Sequence, residues 1–539
     1  MAGLLTADAR EHGLAGDGVT NDQPALQRLV DALGAACAAD GRPRVLHVPA
    51  GRYLIRDEPT VWRSGVCLVG AGRGATCFVL ANPGNRTMPV PLAWFTAAQH
   101  GAGPENHLAD IAFAHFEVDG SDVTTEEYDP LAKGLGLQYV LRGRFTDLYI
   151  HGTAATGFGC DFLQDTVVES VLTEGCGRQD SGEQMGGAGI GIGIGGWGRV
   201  ERLTVTACTA TGNGTNGIFV ELQNEDWAPP RGIRITACHA EDNRFGISDW
   251  GADGLLVTSS TMLGNHEAGF DVSSQGTSGI GGRGGIVTGC VIDGNLRDGI
   301  GLGNTPGPYA FRGNRISDNG RYGYWEHNLA GGDEEPTAEI VLEGNDIRGN
   351  ALDGVRVDAG MRDPAILHNR IRGNGRRSAG AVSGGGDGVR FRELSLTDEK
   401  ADWTTDGHRG KEVSVGTRTA VVTRNTATEL FLAPARPGAD TSWPDGVPAA
   451  GSGYRLPAAP GLRAGLVVDA AVTGPRMHGN RIGDDRPAGA RTQTHGMVVT
   501  PDGSWTHGRV VDNDLSDNAR AATRFDTPLA GGTWHDNDE

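Results

Sequence analysis

Apolar and polar positions alternate along this chain in short runs, and the runs recur. A glycine is followed by a few residues in which every second side chain is apolar, then by a stretch ending in Asn-Gly or Gly-Asn. Gly217-Ile-Phe-Val-Glu, Gly269-Phe-Asp-Val-Ser and Gly354-Val-Arg-Val-Asp are examples. The leading glycines are Gly157, Gly189, Gly217, Gly246, Gly269, Gly299, Gly323, Gly354 and Gly388, spaced 23 to 34 residues apart, with Gly465 and Gly496 after a gap. Alternation of period two predicts strands. A unit of this length, repeated, predicts a solenoid whose equivalent side chains stack into stripes. The turn opened by Gly323 is expected to hold strands at Tyr324–His327, Glu339–Leu342 and Asp346–Ile347. Asn345, Asn350, Asn369, Asn374, Asn425, Asn480 and Asn513 fall at turns. Asparagine tolerates left-handed backbone there and can bond its neighbours along a ladder, so these read as structural.

The first 60 residues follow another pattern. Leu26, Leu29, Val30 and Leu33 share one face of a helix that Asn21 or Asp22 would cap and that runs to about Ala38. Strands at Arg44–Val48 and Arg52–Ile55 follow, joined by Pro49-Ala50-Gly51. An amphipathic helix here would close the open end of a solenoid. A second break lies between Gly388 and Gly465, 77 residues apart. Glu412-Val-Ser-Val, Thr419-Ala-Val-Val-Thr, Glu429-Leu-Phe-Leu and Tyr454-Arg-Leu alternate within it and predict a small inserted β-module. That module carries Trp403, Trp443, Asp406 and His408, and is either a structural flap or a wall against a ligand. The expected organisation is a cap at 1–60, a β-solenoid at 61–395, the insertion at 396–457 and further turns at 458–539. Asp119–Lys133 and Arg178–Gly187 read as loops. Gly70-Ala-Gly-Arg-Gly-Ala is followed by no Gly-Lys-Ser/Thr, which argues against a phosphate cradle.

The run Gly16-Asp-Gly-Val-Thr-Asn-Asp-Gln-Pro-Ala-Leu26, followed by Val48-Pro-Ala-Gly-Arg-Tyr53, resembles the N-terminal entry of pectate-lyase-superfamily proteins. The Asn-x-Ile-x-x-Asn-Gly units resemble the repeats of right-handed parallel β-helices. The resemblance implies an all-β fold: a right-handed parallel β-helix with an N-terminal helical cap and a small inserted β-module. That superfamily holds polysaccharide lyases, glycoside hydrolases, uronan epimerases, tailspike depolymerases and proteins with no carbohydrate role, so it implies a scaffold rather than a reaction.

Composition narrows the partners. The formal charge of −20 disfavours nucleic acid, which needs a basic footprint. No apolar run approaches a membrane span. The N-terminus lacks the basic start and long apolar core of a signal peptide, so a cytoplasmic protein is expected, or a secreted one if a leader has been removed. None of the eight cysteines forms a Cys-x-x-Cys pair. Cys208, Cys238 and Cys290 share one repeat slot and read as a core ladder.

Counting from each repeat glycine, the first and third residues should face the core and the second and fourth should face out. The outward series reads Phe219 and Glu221; Ser248 and Trp250; Asp271 and Ser273; Gly301 and Gly303; Trp325 and His327; Arg356 and Asp358; Arg390 and Arg392. Two tryptophans flanking a glycine hollow suit a sugar ring, and Arg356, Arg390 and Arg392 suit carboxylates. Asp249 and Glu326 break the rule by standing third, where other repeats from Gly157 to Gly496 carry an apolar residue or cysteine. Either the strand bulges to turn them outward or they are buried and perturbed. They stand three turns apart, ~14 Å at ~4.8 Å per turn, too far for an ordinary glycosidase pair. Glu221 with Asp249, or Asp249 with Asp271, would be closer.

The leading expectation is a carbohydrate-active enzyme, lyase-like or glycoside-hydrolase-like, acting on an acidic or uronate-containing glycan. His327 would be the base, Arg356 the neutralising cation, with Tyr324 and Glu326 beside them. Asp249, Asp271 and Glu221 would serve hydrolysis instead, and Trp250, Trp325, Phe219, Asp358, Arg390 and Arg392 would hold substrate. One alternative is an intracellular cyclase or isomerase of a small apolar metabolite. Another is a non-catalytic glycan-binding, tailspike-like protein, which would assemble as a closed trimer. No cofactor is expected. Calcium at Asp271, Asp249 and Glu221 is the one metal considered, with no loop motif behind it.

Overall fold

The computed structural model describes residues 6–81, 90–125, 128–177, 187–273, 281–303, 305–329, 335–377, 380–459 and 462–539. The chain divides into two compact units, residues 6–256 and residues 257–273 with 281–539. Each is built from coils of short parallel strands, a parallel β-helix. A crossover between parallel strands of one sheet is right-handed by the general rule. Among the described residues, no helix is long and apolar enough to cross a membrane.

The first unit opens with the helix Gln23–Asp40. Leu26, Leu29, Val30 and Leu33 are buried and the helix packs on strands Arg44–Val48 and Val66–Gly70. Asp22 stands at its N-cap, but its carboxylate accepts from the Ala15 and Gly16 amides instead, tying the helix to the entry loop. Gly41 ends it in left-handed backbone (φ +70°), its amide bonded to the Cys37 carbonyl. One face of the unit is a single sheet, whose strands Ala93–Phe95, Leu135–Leu141, Phe158–Gly159, Ile190–Ile194, Asn216–Leu222 and Phe245–Trp250 pair in sequence. The in/out rule holds along it: Ile218 and Val220 are fully buried, each worth about 1.5–3 kcal/mol of burial.

The second unit repeats the design. Ala268–Val272, Asp298–Gly303, Tyr324–His327, Val355–Val357, Leu466–Val468, His495–Val499 and Ala521–Phe525 stack in turn. Two asparagine ladders run inside it. In one, Asn265, Asn295, Asn319, Asn350 and Asn374 each donate to the next side-chain carbonyl, ending on Gln493. In the other, Asn314, Asn345, Asn369, Asn480 and Asn513 do the same, ending on Asn537. Turn amides, which a strand ladder cannot satisfy, are thereby paired in the interior. Cys208 and Cys238 of the first unit and Cys290 of the second are buried, and their thiols meet backbone carbonyls of the preceding coil.

Two boundaries differ from expectation. Val355 pairs directly with Leu466, so the coil after Gly354 is the one at Gly465. Gly388 does not lead a coil. Val389–Arg392 pairs antiparallel with Ser395–Asp398 inside the insertion, whose seven-stranded sheet runs from Val382 to Leu456. The insertion therefore starts near residue 380, not 396. It has its own core around Leu396, Trp403, Val413, Leu430, Trp443 and Tyr454, which explains how so much sequence can be interposed without disturbing the stack. The expected loop at 178–186 lies outside the described residues.

Candidate functional site

Strand register in the first unit sets two outward columns side by side. One reads Trp94, Gly136, Gly159, Gly191, Phe219 and Ser248. The other reads Gln138, then Asp161, then Gly193, Glu221 and Trp250; Asp161 faces Gly193 on the next coil, each two residues past the Gly159–Gly191 pair. Three successive glycines form a low floor between the aromatic side chains of Trp94 and Phe219, and part of it is covered. The Trp94 ring lies over Gly136, where a Cβ would approach it to 2.2 Å, and the Lys133 stem lies over Gly159. Gly191 faces only the Thr156 methyl and Ala188.

Two cavities sit on this floor. One, of about 420 Å³, is bordered by Tyr128, Lys133, Asp161, Gly191, Phe219 and Glu221; the other, of about 370 Å³, by Trp94, Gln99, Leu131, Lys133, Gly136 and Asp161. Lys133, Gln138 and Asp161 border both. Asp161 is nearly buried, and both of its oxygens are held: Oδ1 accepts from the Gly193 amide at 2.7 Å and Oδ2 from Gln138 Nε2 at 3.1 Å. Glu221 accepts from Gln223 Nε2 at 2.9 Å. Burial pulls the Lys133 ammonium down, but Asp161, Tyr128, Cys160 and Glu221 outweigh it, and its pKa lies above the ordinary lysine value. Lys133 therefore stays cationic. Trp250 packs edge-on against Phe219, with ring centroids 4.7 Å apart.

Of the residues expected from sequence, Phe219 and Glu221 border this groove, and Trp250 packs on Phe219 at its end. The others are placed differently. Asp249 points into the core and accepts from the Ala252 amide. Glu326 and Tyr324 also face inward, fully buried, with the tyrosine hydroxyl donating to the carboxylate. The strand does not bulge; the core simply takes the pair, and burial lifts Glu326 to about 7 in spite of the Thr337 and Tyr324 hydroxyls. Asp271 is nearly buried and accepts from the Ser273 hydroxyl.

His327 keeps its outward slot, but its ring lies over Gly303 and against Trp325, centroids 4.2 Å apart. Burial, with Arg321 adding to it, lowers His327 to about 4, which makes it a poor general base near neutrality. Trp325 is sandwiched rather than open: Arg321 sits 3.9 Å above its ring and its indole N–H donates to Asp358. Arg356 is held by Asp358, Asp469 and Asp353 and is not free to neutralise a substrate. Arg390 and Arg392 belong to the inserted module, where Arg390 pairs with Glu399.

Sequence reasoning missed Asp161, Lys133, Gln138, Tyr128 and Trp94. The signal for Asp161 was present: read from Gly157 and Gly189, the outward series gives Gly159 and Asp161, then Gly191 and Gly193. Lys133 lay in a segment read only as a loop, and Trp94 precedes the first repeat glycine.

Comparison with known proteins agrees with this architecture. Residues 7–240 match the family described as rhamnogalacturonase A/epimerase, pectate lyase-like, and residues 228–332 match the right-handed β-helix region. The chain is a pectate-lyase-like, right-handed parallel β-helix protein. It is 26% identical over 172 residues to the capsule KN3-specific depolymerase 1 of Klebsiella phage KN3-1, covering 31% of this chain and 20% of that protein. It is 27% identical over 199 residues to the mannuronan C5-epimerase AlgE3 of Azotobacter vinelandii, covering 30% of this chain and 10% of that protein. The chain thus spans a fifth or less of the length of these relatives. Among solved structures, the catalytic unit of the GH87 α-1,3-glucanase from Streptomyces thermodiastaticus strain HF3-3 aligns with a TM-score of 0.50 and 13% identity, covering 69% of this chain and 64% of that one. That likeness concerns the fold alone.

Proposed function

We propose that the chain is a carbohydrate-active enzyme whose groove over Gly136, Gly159 and Gly191 cleaves a glycosidic bond, with Asp161 and Glu221 as the reacting pair. The observation that carries this reading is the in-register stack Asp161, Gly193, Glu221. Rungs lie ~4.8 Å apart, so the two acids start ~9.6 Å apart at the backbone. Asp161 leans over Gly193 to reach its amide, which shortens the gap between the carboxyl groups. A carboxyl gap somewhat under that backbone distance would match the ~6.5–9.5 Å range of inverting glycosidases, which need room for a water between the acids. With both oxygens held as acceptors by N–H donors, Asp161 is placed as the base that activates this water. Glu221, on the far side of the glycine, protonates the departing oxygen. Lys133 holds a positive charge at the floor and meets an acidic substituent, which keeps the acidic glycan as substrate class. Trp94 and Phe219 stand four rungs apart, a length that suits an extended chain better than a small metabolite. The depolymerase and epimerase similarities support action on a polysaccharide, and the relatives named above give the cyclase alternative no support.

A second reading has one observation in its favour. Lys133 and Tyr128 stand with Asp161, a cation, a phenol and a carboxylate that would also serve β-elimination of a uronate. Incubation with a panel of neutral and uronate polysaccharides separates the two. Hydrolysis releases reducing ends with inverted anomeric configuration and no unsaturated product, and Asp161→Asn and Glu221→Gln each lose at least a hundredfold in rate. An unsaturated product sinks the hydrolytic reading, and full activity in both variants sinks the site.

A further inference from the structure

A different sheet face of the first unit gathers four side chains that the groove does not use. Strand register sets Cys77 beside Glu117 and Asp119 beside His151, while Glu117 and Asp119 project on the same side of strand Ala112–Asp119. The Cys77 thiol lies 3.4 Å from Glu117 Oε1. His151 Nε2 lies 3.1 Å from that same oxygen, and Nδ1 lies 3.8 Å from Asp119 Oδ1. One donor atom each from Cys77, Glu117 and Asp119 falls within a 4.8 Å circle.

We propose that Cys77, Glu117, Asp119 and His151 bind a zinc ion. The donor set combines thiolate, imidazole and carboxylate, the chemistry that borderline-soft Zn²⁺ takes in tetrahedral sites. Zinc–ligand lengths of about 2.0–2.3 Å put tetrahedral ligands about 3.3–3.7 Å apart, close to the Cys77–Glu117 and His151 Nε2–Glu117 separations already present; His151 would ligate through Nε2. The pocket is also pre-built. Cys77 is almost fully buried and the other three side chains are 14–20% exposed. The second Glu117 oxygen accepts from the Gly74 amide, Asp119 Oδ1 accepts from the Ser121 amide, and His151 stacks on Tyr149. Contacts of that kind orient metal ligands. Two partly buried carboxylates two residues apart need a cation; Arg52, largely exposed, reaches only Asp119 at 3.4 Å. On binding, the Cys77 S–H proton passes to solvent and the thiolate takes its place on the metal. The sequence hid the site because its members lie at 77, 117, 119 and 151, on three different coils.

The test uses tag-free full-length chain titrated with Co²⁺ as a spectroscopic stand-in for zinc, followed by Zn²⁺ competition. The expected result is one equivalent bound, with a thiolate-to-cobalt charge-transfer band. The band disappears in Cys77→Ser, persists in Cys67→Ser, and binding weakens at least tenfold in His151→Ala. Because Cys77→Ser could disturb the core, the near-isosteric Glu117→Gln and Asp119→Asn are run alongside; Zn²⁺ raises the thermal midpoint of the parent chain and much less that of either variant. No thiolate band, a band that survives Cys77→Ser, or parent-like binding in His151→Ala and Asp119→Asn would each overturn the proposal. In those cases His151 serves only as a bridge between Glu117 and Asp119.

Discussion

The sharpest probe of the groove is the smallest one, Gly193→Ala. Gly193 lies between Asp161 and Glu221, and its backbone is not left-handed, so alanine fits the strand without strain. The new methyl does not fit the site. It would lie 2.7 Å from Gln223 Cγ and 2.9 Å from Asp161 Cγ and Oδ1, each well inside van der Waals contact. Either Asp161 swings away and loses the Gly193 and Gln138 bonds, or Gln223 moves and releases Glu221. In both cases a reacting carboxyl shifts by about an ångström, which costs about a hundredfold in rate. Overpacking at one position costs about 1–3 kcal/mol of stability, small for a chain of this size, so the protein stays folded. The assay is turnover on the polysaccharide found in the panel, beside circular dichroism. Gly103→Ala, where the methyl would meet nothing within 4 Å, is the control. A Gly193→Ala enzyme within threefold of the parent, folded and unchanged in KM, would refute the assignment of Asp161 and Glu221.

Other expectations follow from the same geometry. Asn350→Ala strands the Asn319 amide and side-chain N–H in the interior and should destabilise the second unit by about 2–5 kcal/mol; hydrogen exchange of the flanking coils measures it, with protection unchanged if the ladder is ornamental. The folded chain holds a proton on Glu326 up to about pH 7, against 4.5 ordinarily. This contribution is therefore fully present below about pH 4.5 and is lost as pH rises through 7, on the order of 3 kcal/mol. Glu326→Gln should remove that slope in chemical unfolding at pH 5 and pH 8 while leaving turnover intact. Arg356→Ala leaves Asp353, Asp358 and Asp469 without their shared cation; it should lower the thermal midpoint yet keep turnover near that of the parent, and a total loss of activity in a folded variant would restore Arg356 to the catalytic machinery.

The scaffold was legible because it is periodic. The helix face Leu26, Leu29, Val30, Leu33, the strands Glu412–Val415 and Glu429–Leu432, and the buried first and third positions after every repeat glycine but Gly388 stand where the pattern puts them. The failures were of two physical kinds. Gly388-Val-Arg-Phe-Arg obeys the repeat locally but pairs with Ser395–Asp398, because strand pairing is a nonlocal choice that alternation does not encode. Arg356 and Trp325 occupy outward slots, but Arg321 lies outside the outward series, and Asp469, fourth after Gly465, comes beside Arg356 only because the insertion between their coils is looped out. A slot gives a direction; it says nothing about what already fills the space above it.

That difference explains why the groove falls in the first unit. An outward glycine on a strand gives up conformational stability and packing at once, about 0.5–1 kcal/mol relative to alanine. One such residue is unremarked, but three in register, Gly136, Gly159 and Gly191, make a floor low enough for the Trp94 ring and the Lys133 stem to lie across it and still leave two cavities. Gly301 and Gly303 of the second unit make a shorter version, and there the His327 ring covers Gly303. The conspicuous acids of the sequence, Asp249 and Glu326, stood out because they broke the inward rule, and the core absorbed both. Asp161 broke no rule. It is an ordinary outward residue next to an absence: the missing side chain at Gly193 lets Asp161 and Gln223 close over the strand, which brings Asp161 towards Glu221.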